Sequence, residues 1–252
     1  MKRYISDLHL GHANVLKFDQ RPFLTLEEMH ETIINNWNSV VDKTDDVYIL
    51  GDFAWKSDVG LDILKQLNGN KYLIRGNHDS LNGFMELHFV WVKDMETIKD
   101  EGRHVVLCHY PIAHWRNADH GYIHLYGHIH AGRDSRPFDN YKLEMYKRDI
   151  PYECYNVGCM LPYMNYTPRT LDEIIASANT GMESIVSVTA KKDNEIDKLK
   201  GTVKDLKKQI DELKKIKEEY YVLNKLMESA IVKQNKELEQ LEKELKSAYN
   251  QG

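Results

Sequence analysis

Val47-Tyr48-Ile49-Leu50-Gly51-Asp52 is a run of four apolar residues closed by a glycine and a carboxylate. The run is too short for a helix and reads as a buried strand. The same design recurs four times. Tyr4-Ile5 leads to Asp7-Leu8-His9, and Tyr72-Leu73-Ile74 leads to Gly76-Asn77-His78-Asp79. Val105-Val106-Leu107 leads to Cys108-His109, and Ile123-His124-Leu125-Tyr126 leads to Gly127-His128-Ile129-His130. Helical patterns lie between these runs. Thr25-Leu26-Glu27-Glu28 fits a capping box, with Met29, Ile33, Trp37 and Val40 following at helical spacing. Residues 58–67 form a second candidate, ended by Asn68-Gly69-Asn70. Thr170-Leu171-Asp172-Glu173 opens a third, which runs to about Ala178. Strands alternating with helices predict an α/β layered sheet. Tyr141 to Val157 reads as further strand material.

In open α/β sheets, ligands gather outside the carboxyl ends of the strands. Five strands ending in Asp, His or Asn at that edge would converge on one pocket. Carboxylate and amide oxygens mixed with imidazole suit Mn, Fe, Zn, Ni or Co better than calcium. Alternation at Asp7/His9 and His128/His130 would put both members of each pair on one face of an extended segment. Asp52 has two oxygens with which to bridge two metals. Each piece alone is common in proteins; the joint occurrence at successive strand ends carries the argument.

The set Asp7-x-His9, Gly51-Asp52, Gly76-Asn77-His78-Asp79, His109 and Gly127-His128-x-His130 resembles the calcineurin-like metallophosphoesterase superfamily over residues 1 to about 178. Gly11-His12-Ala13-Asn14-Val15, Arg21-Pro22-Phe23, His109-Tyr110-Pro111 and Asn156-Val157-Gly158 resemble a small branch of it found in bacteria and their phages. The resemblance implies a four-layer α/β/β/α sandwich. It implies one metal held by Asp7, His9, Asp52 and His130, and a second held by Asp52, Asn77, His109 and His128. His78 would stand beside the metals, oriented by Asp79, to steady charge or protonate the leaving oxygen. The implied cofactor is a pair of divalent metals, manganese favoured over Fe, Zn, Ni or Co. The implied reaction is hydrolysis of phosphate esters by a hydroxide shared between the two metals. His12, Asn14 and Arg21 follow the first ligand pair and are candidates to reach substrate.

Only 18 residues separate His109 from His128, so no large cap covers the site. An open site tolerates phosphodiesters, and the leading reading is hydrolysis of nucleotides, cyclic nucleotides or single-stranded nucleic acid. A phosphomonoesterase acting on nucleotides or phosphoproteins would use the same ligands. A catalytically silent scaffold is the remaining alternative, and it would be expected to have shed ligands that are all in place here.

Composition divides the chain. The last 62 residues hold 15 Lys and 13 Asp or Glu; the first 190 hold 19 Lys or Arg against 26 Asp or Glu. An acidic first part lacks the footprint of a non-specific duplex-DNA binder. Three cysteines, an odd number, argue against a disulfide scaffold. No signal peptide or membrane span is evident, so a cytoplasmic protein is expected.

The expected organisation is a catalytic domain over 1–180, a linker over 181–192 and a coiled-coil helix over 193–249. Ile185-Val186-Ser187-Val188 alternates enough to keep a late strand open within the linker. From Ile196 and Leu199 a heptad frame runs to Leu245 and Ala248, with 13 of 16 a and d positions apolar. Ile or Val at a with Leu at d favours a parallel homodimer, and Asn224 at a fits that choice. A lone amphipathic helix folded back on the catalytic domain is the alternative.

Overall fold

Each of the five apolar runs forms a strand. The structure is a computed structural model that describes residues 1–80, 83–130 and 135–249, without the side chains of 83–84, 179–191, 193–194, 241 and 244–249. In chain order the elements are β1 (Lys2–Ile5), α1 (Val15–Phe18), α2 (Leu26–Val40), β2 (Asp46–Leu50), α3 (Ser57–Leu64), β3 (Asn70–Ile74) and α4 (Gly83–Glu86). There follow β4 (Val92–Lys93), β5 (Met95–Asp100), β6 (Arg103–Cys108), β7 (Ile123–Tyr126), α5 (Arg136–Lys147), β8 (Cys154–Asn156) and α6 (Leu171–Tyr249). The class is mixed α/β.

The strands form two four-stranded sheets. The first, β1-β2-β3-β4, is parallel throughout. The second runs β5-β6-β7-β8, with β5 antiparallel to β6 and the other pairs parallel. Burial follows the sequence pattern. Met29, Ile33 and Trp37, one stripe of α2, join Ile49 of the first sheet and Leu107 and Leu125 of the second in a single core. The Thr170 capping box forms in both directions: Thr170 Oγ1 accepts from Glu173 N while Glu173 Oε2 accepts from Thr170 N. At Thr25 only the forward bond forms, with Thr25 Oγ1 accepting from Glu28 N (3.1 Å), and Glu28 Oε2 accepts from Leu24 N (2.7 Å) instead. A second small cluster, including Val106, Trp115, Tyr126 and Cys154, lies outside that core.

Two expectations of local structure are corrected. Residues 141–147 belong to α5, and only Cys154–Asn156 is strand. Leu143, Glu144, Met145 and Lys147 are strong helix formers, and a proline in the first turn suits a helix start. The stretch 181–192, expected as linker or strand, lies inside α6. It has no proline, and its one glycine costs a helix only about 1 kcal/mol. The chain still divides into two units, Met1–Val186 and Ser187–Gly252. In the second unit the heptad side chains from Ile196 to Leu238 are all exposed, Leu199 to 64%. Among the described residues no helix is long and apolar enough to cross a membrane.

Candidate metal centre

The carboxyl ends of five strands meet. β1, β2 and β3 deliver Asp7 and His9, Asp52, and Asn77; β6 and β7 deliver His109, and His128 with His130. The backbone there is not extended. Asp7, His9, Asp52 and His128 have φ of 59°, 52°, 51° and 67°, all left-handed. Such a conformation costs a side-chain-bearing residue about 1–3 kcal/mol and persists only where the surroundings impose it. The pairs Asp7/His9 and His128/His130 therefore converge through tight left-handed turns rather than strand alternation. Gly51 (φ +88°) and Gly76 let the strand ends close up. A Cβ on Gly51 would lie 2.3 Å from His109 Nδ1, and one on Gly76 would lie 2.3 Å from Asp52 Oδ1.

Among the described residues two groups of side chains could each hold a metal ion: Asp7, His9 and His130, and Asp52, His109 and His128. Within each group the donor atoms lie within 4.8 Å of one another. His9 Nε2 is 3.3 Å from His130 Nε2, and His130 Nε2 is 3.5 Å from Asp7 Oδ1. His109 Nε2 is 3.1 Å from Asn77 Oδ1. Asp52 Oδ2 lies 3.6 Å from both His9 Nε2 and His109 Nε2. Neighbouring ligands about 2.1 Å from one ion are separated by about 3.0–3.4 Å. The donor separations, 3.1–3.6 Å, fall in or just above that range, and Asp52 stands at the junction of the two groups.

Hydrogen bonding selects the tautomers this needs. His109 Nδ1 donates to Leu50 O (2.7 Å), and His130 Nδ1 donates to Asp19 Oδ1 (2.6 Å). Each Nε2 is left facing other acceptors, an arrangement that a cation satisfies. The proton affinities of His130 and His9 diverge. Burial opposes protonation of His130, yet its bonds to Asp19 and Asp7 and their charges raise its pKa to about 10. Burial lowers His9 to about 3 against the pull of Asp7. For Asp7, burial acts upward, but the bond and charge from His130 hold it well below the usual carboxylate range.

Of the expected metal ligands, Asp7, His9, Asp52, His109, His128 and His130 come together in the two groups, and Asn77 joins the second. Two other expected roles change. Asp79 does not orient His78: its carboxylate accepts from the backbone N–H of Asp52 (2.9 Å), Phe53 (2.8 Å) and Gly76 (2.8 Å), tying the ends of β2 and β3 together. Burial, reinforced by the charge of Asp52, raises its pKa above the ordinary value despite those bonds. Arg21 is buried, with its guanidinium on Asp19 and on the backbone carbonyls of Asp7 (2.8 Å) and Leu8 (3.0 Å), so it holds the first ligand segment rather than reaching outward. His78 is exposed, its ring 5.5 Å from His9. His12 stacks on Trp55, and Asn14 is exposed at the start of α1.

Two supporting residues escaped the sequence reading. Asp19 joins Arg21 to His130, and Ser6 Oγ donates to Asp7 Oδ2 (2.6 Å). Asp19 sits two residues before Arg21 in a loop, where nothing in periodicity marks it.

No protein-family model matches the chain. The uncharacterized protein MJ1445 of Methanocaldococcus jannaschii is 34% identical over 181 residues, covering 70% of this chain and 90% of that protein. Gene 66 protein of Mycobacterium phage L5 is 32% identical over 159 residues, covering 51% of this chain and 76% of that protein. The crystal structure of AQ665, a protein of unknown function from Aquifex aeolicus, is similar with a TM-score of 0.55 at 26% identity, covering 70% of this chain and 98% of that one.

Proposed function

The chain belongs to the family of MJ1445 and the phage L5 gene 66 protein, and we propose that it is a two-metal phosphodiesterase of the calcineurin-like metallophosphoesterase superfamily. One observation carries the reading: Asp52 Oδ2 is equidistant, at 3.6 Å, from an imidazole of each metal-holding group. Asp7, His9, Asp52 and His130 would hold one cation, and Asp52, Asn77, His109 and His128 the other, with manganese the favoured metal. Bound there, the cations supply charge that polarises phosphoryl oxygens and acidifies water toward neutral pH. The α/β/β/α layering of that superfamily belongs to the same proposal, supported by the two sheets that share one core.

The chain's own residues have separable tasks. Asp52 balances charge between the two groups. Asp19 and Leu50 O fix the imidazoles of His130 and His109 with Nε2 turned toward the other ligand residues. His78, exposed beside His9, would donate a proton to a leaving oxygen. Asp79 and Arg21 position the ligand segments. A reducing, cytoplasmic setting belongs to the same proposal, and the three cysteines are buried. The test is a screen of the manganese-supplemented full chain on bis-nitrophenyl phosphate, nitrophenyl phosphate, cyclic nucleotides and short single-stranded DNA. Hydrolysis of the diesters ahead of the monoester supports the reading; a chain inert toward every ester overturns it.

The second unit supports self-association as a parallel dimer over 193–249. Ile196, Val203 and Ile210 at a and Leu199, Leu206 and Leu213 at d leave an exposed apolar seam that a second copy matches in register. At the polar a positions Lys217 and Asn224, the preceding residues Ile216 and Leu223 are apolar and exposed, so the seam shifts sideways there instead of lapsing. Sedimentation of the full chain should give twice the monomer mass, and a monomer at micromolar concentration would refute the dimer.

A further inference from the structure

Two solvent-facing aromatic residues stand beside the metal-holding groups, one at each. Trp55, three residues after Asp52, is 47% exposed; Tyr110, next to His109, is 45% exposed. The Trp55 ring lies on His12 with centroids 4.3 Å apart and planes at 15°, and it also touches His78 at 5.1 Å. His12 and His78 both contact His9, at 5.8 and 5.5 Å. Tyr110 packs edgewise on His128 at 4.6 Å and on His109 at 5.0 Å. Trp55 is linked to the Asp7–His9–His130 group through His12 and His78, while Tyr110 touches the Asp52–His109–His128 group directly.

We propose that Trp55 and Tyr110 are stacking platforms for the bases on either side of a scissile phosphodiester, which makes single-stranded oligonucleotides the substrate class. The proposal rests on the phosphodiesterase reading and adds the recognition of the substrate's organic parts. A monoester carries one organic group and would use one platform; a diester carries two. The acidic balance of the first 190 residues, 26 acidic against 19 basic, disfavours grip through phosphate charge. Stacking needs no charge and tolerates any base, at about 1–3 kcal/mol per base, or roughly 5- to 150-fold in binding. His12 and His78 brace the Trp55 ring, so little side-chain freedom is lost when a base settles on it.

The experiment compares a six-residue thymidine oligonucleotide with an abasic oligomer of the same length and charge, using the full chain with manganese. Tryptophan quenching reports binding, and product release reports cleavage. The thymidine oligomer should bind and be cleaved at least 5-fold better than the abasic one. Trp55→Leu and Tyr110→Leu should each narrow that gap, Trp55→Phe should restore most of it, and Trp55→Leu should abolish the quenching. Equal effects of the variants on both oligomers, or no gap in the wild type, would overturn the stacking. A chain that binds the thymidine oligomer with quenching but cleaves no ester would retain the stacking and defeat the phosphodiesterase reading.

Discussion

Asp19→Ala removes a carboxylate shared by a buried arginine and a proposed metal-binding histidine. Arg21 Nη2 and Nε donate to Asp19 Oδ2 at 2.9 and 3.0 Å, with the side chains only 0% and 5% exposed. Without Asp19 the guanidinium stays buried with backbone carbonyls of Asp7 and Leu8 as its remaining oxygen partners. Breaking a buried pair from one side costs about 3–5 kcal/mol. The surviving carbonyl bonds put this case near the lower figure, a fall of roughly 6–12 °C in melting temperature for a unit of this size. The second effect falls on His130, which loses the acceptor 2.6 Å from Nδ1 that sets its tautomer. Removing such a support costs about 10- to 100-fold in metal affinity. Calorimetric manganese titration and thermal melts of the same samples read the two effects separately. Asp19→Asn, which keeps the shape and one acceptor oxygen, should fall between wild type and alanine in both. An Asp19→Ala protein with wild-type melting and wild-type manganese affinity would refute the reasoning.

Gly76→Ala sets a methyl 2.3 Å from Asp52 Oδ1 and 2.4 Å from Asp52 N; it should cost about 1–3 kcal/mol in melting experiments and weaken manganese uptake. His124 is buried; its Nδ1 donates to Val106 O (3.1 Å) while Nε2 accepts from Ile112 N (3.2 Å), and burial lowers its pKa to about 4. Because the folded pKa lies below the unfolded value of about 6.5, its stability contribution is present above pH 6.5 and lost as pH falls toward 4. Denaturant melts at pH 7 and 5 should show His124→Gln losing about 2 kcal/mol less than wild type over that interval; identical losses would contradict the assignment. His78→Ala should depress turnover of esters with basic leaving groups more than that of nitrophenyl esters, and equal loss on both would remove its acid role.

The strands that carry the ligands were legible because buried parallel strands are short apolar runs, and the ligand residues follow directly after them. Thr25 and Thr170 announced their helices through capping-box sequences. Three features were not legible, each for a physical reason. β5, Met95-Glu96-Thr97-Ile98-Lys99-Asp100, is a half-exposed edge strand whose Lys and Glu side chains dilute any apolar signal. The left-handed turns at Asp7, His9, Asp52 and His128 are imposed by tertiary contacts, whereas local preference reserves that conformation mainly for glycine and asparagine. The partners of Asp79, Arg21 and Asp19 depend on which backbone groups the fold brings near, so spacing could mark Asp79 and Arg21 as polar candidates but could not separate an anchor from a catalytic group.

Low-temperature electron paramagnetic resonance of the manganese-loaded full chain tests the shared carboxylate most directly. Two ions per chain with a spin-coupled spectrum, lost in Asp52→Ala, is the predicted result. A single bound ion, or two magnetically isolated ions that Asp52→Ala leaves unchanged, would contradict the proposal that Asp52 joins two metal sites.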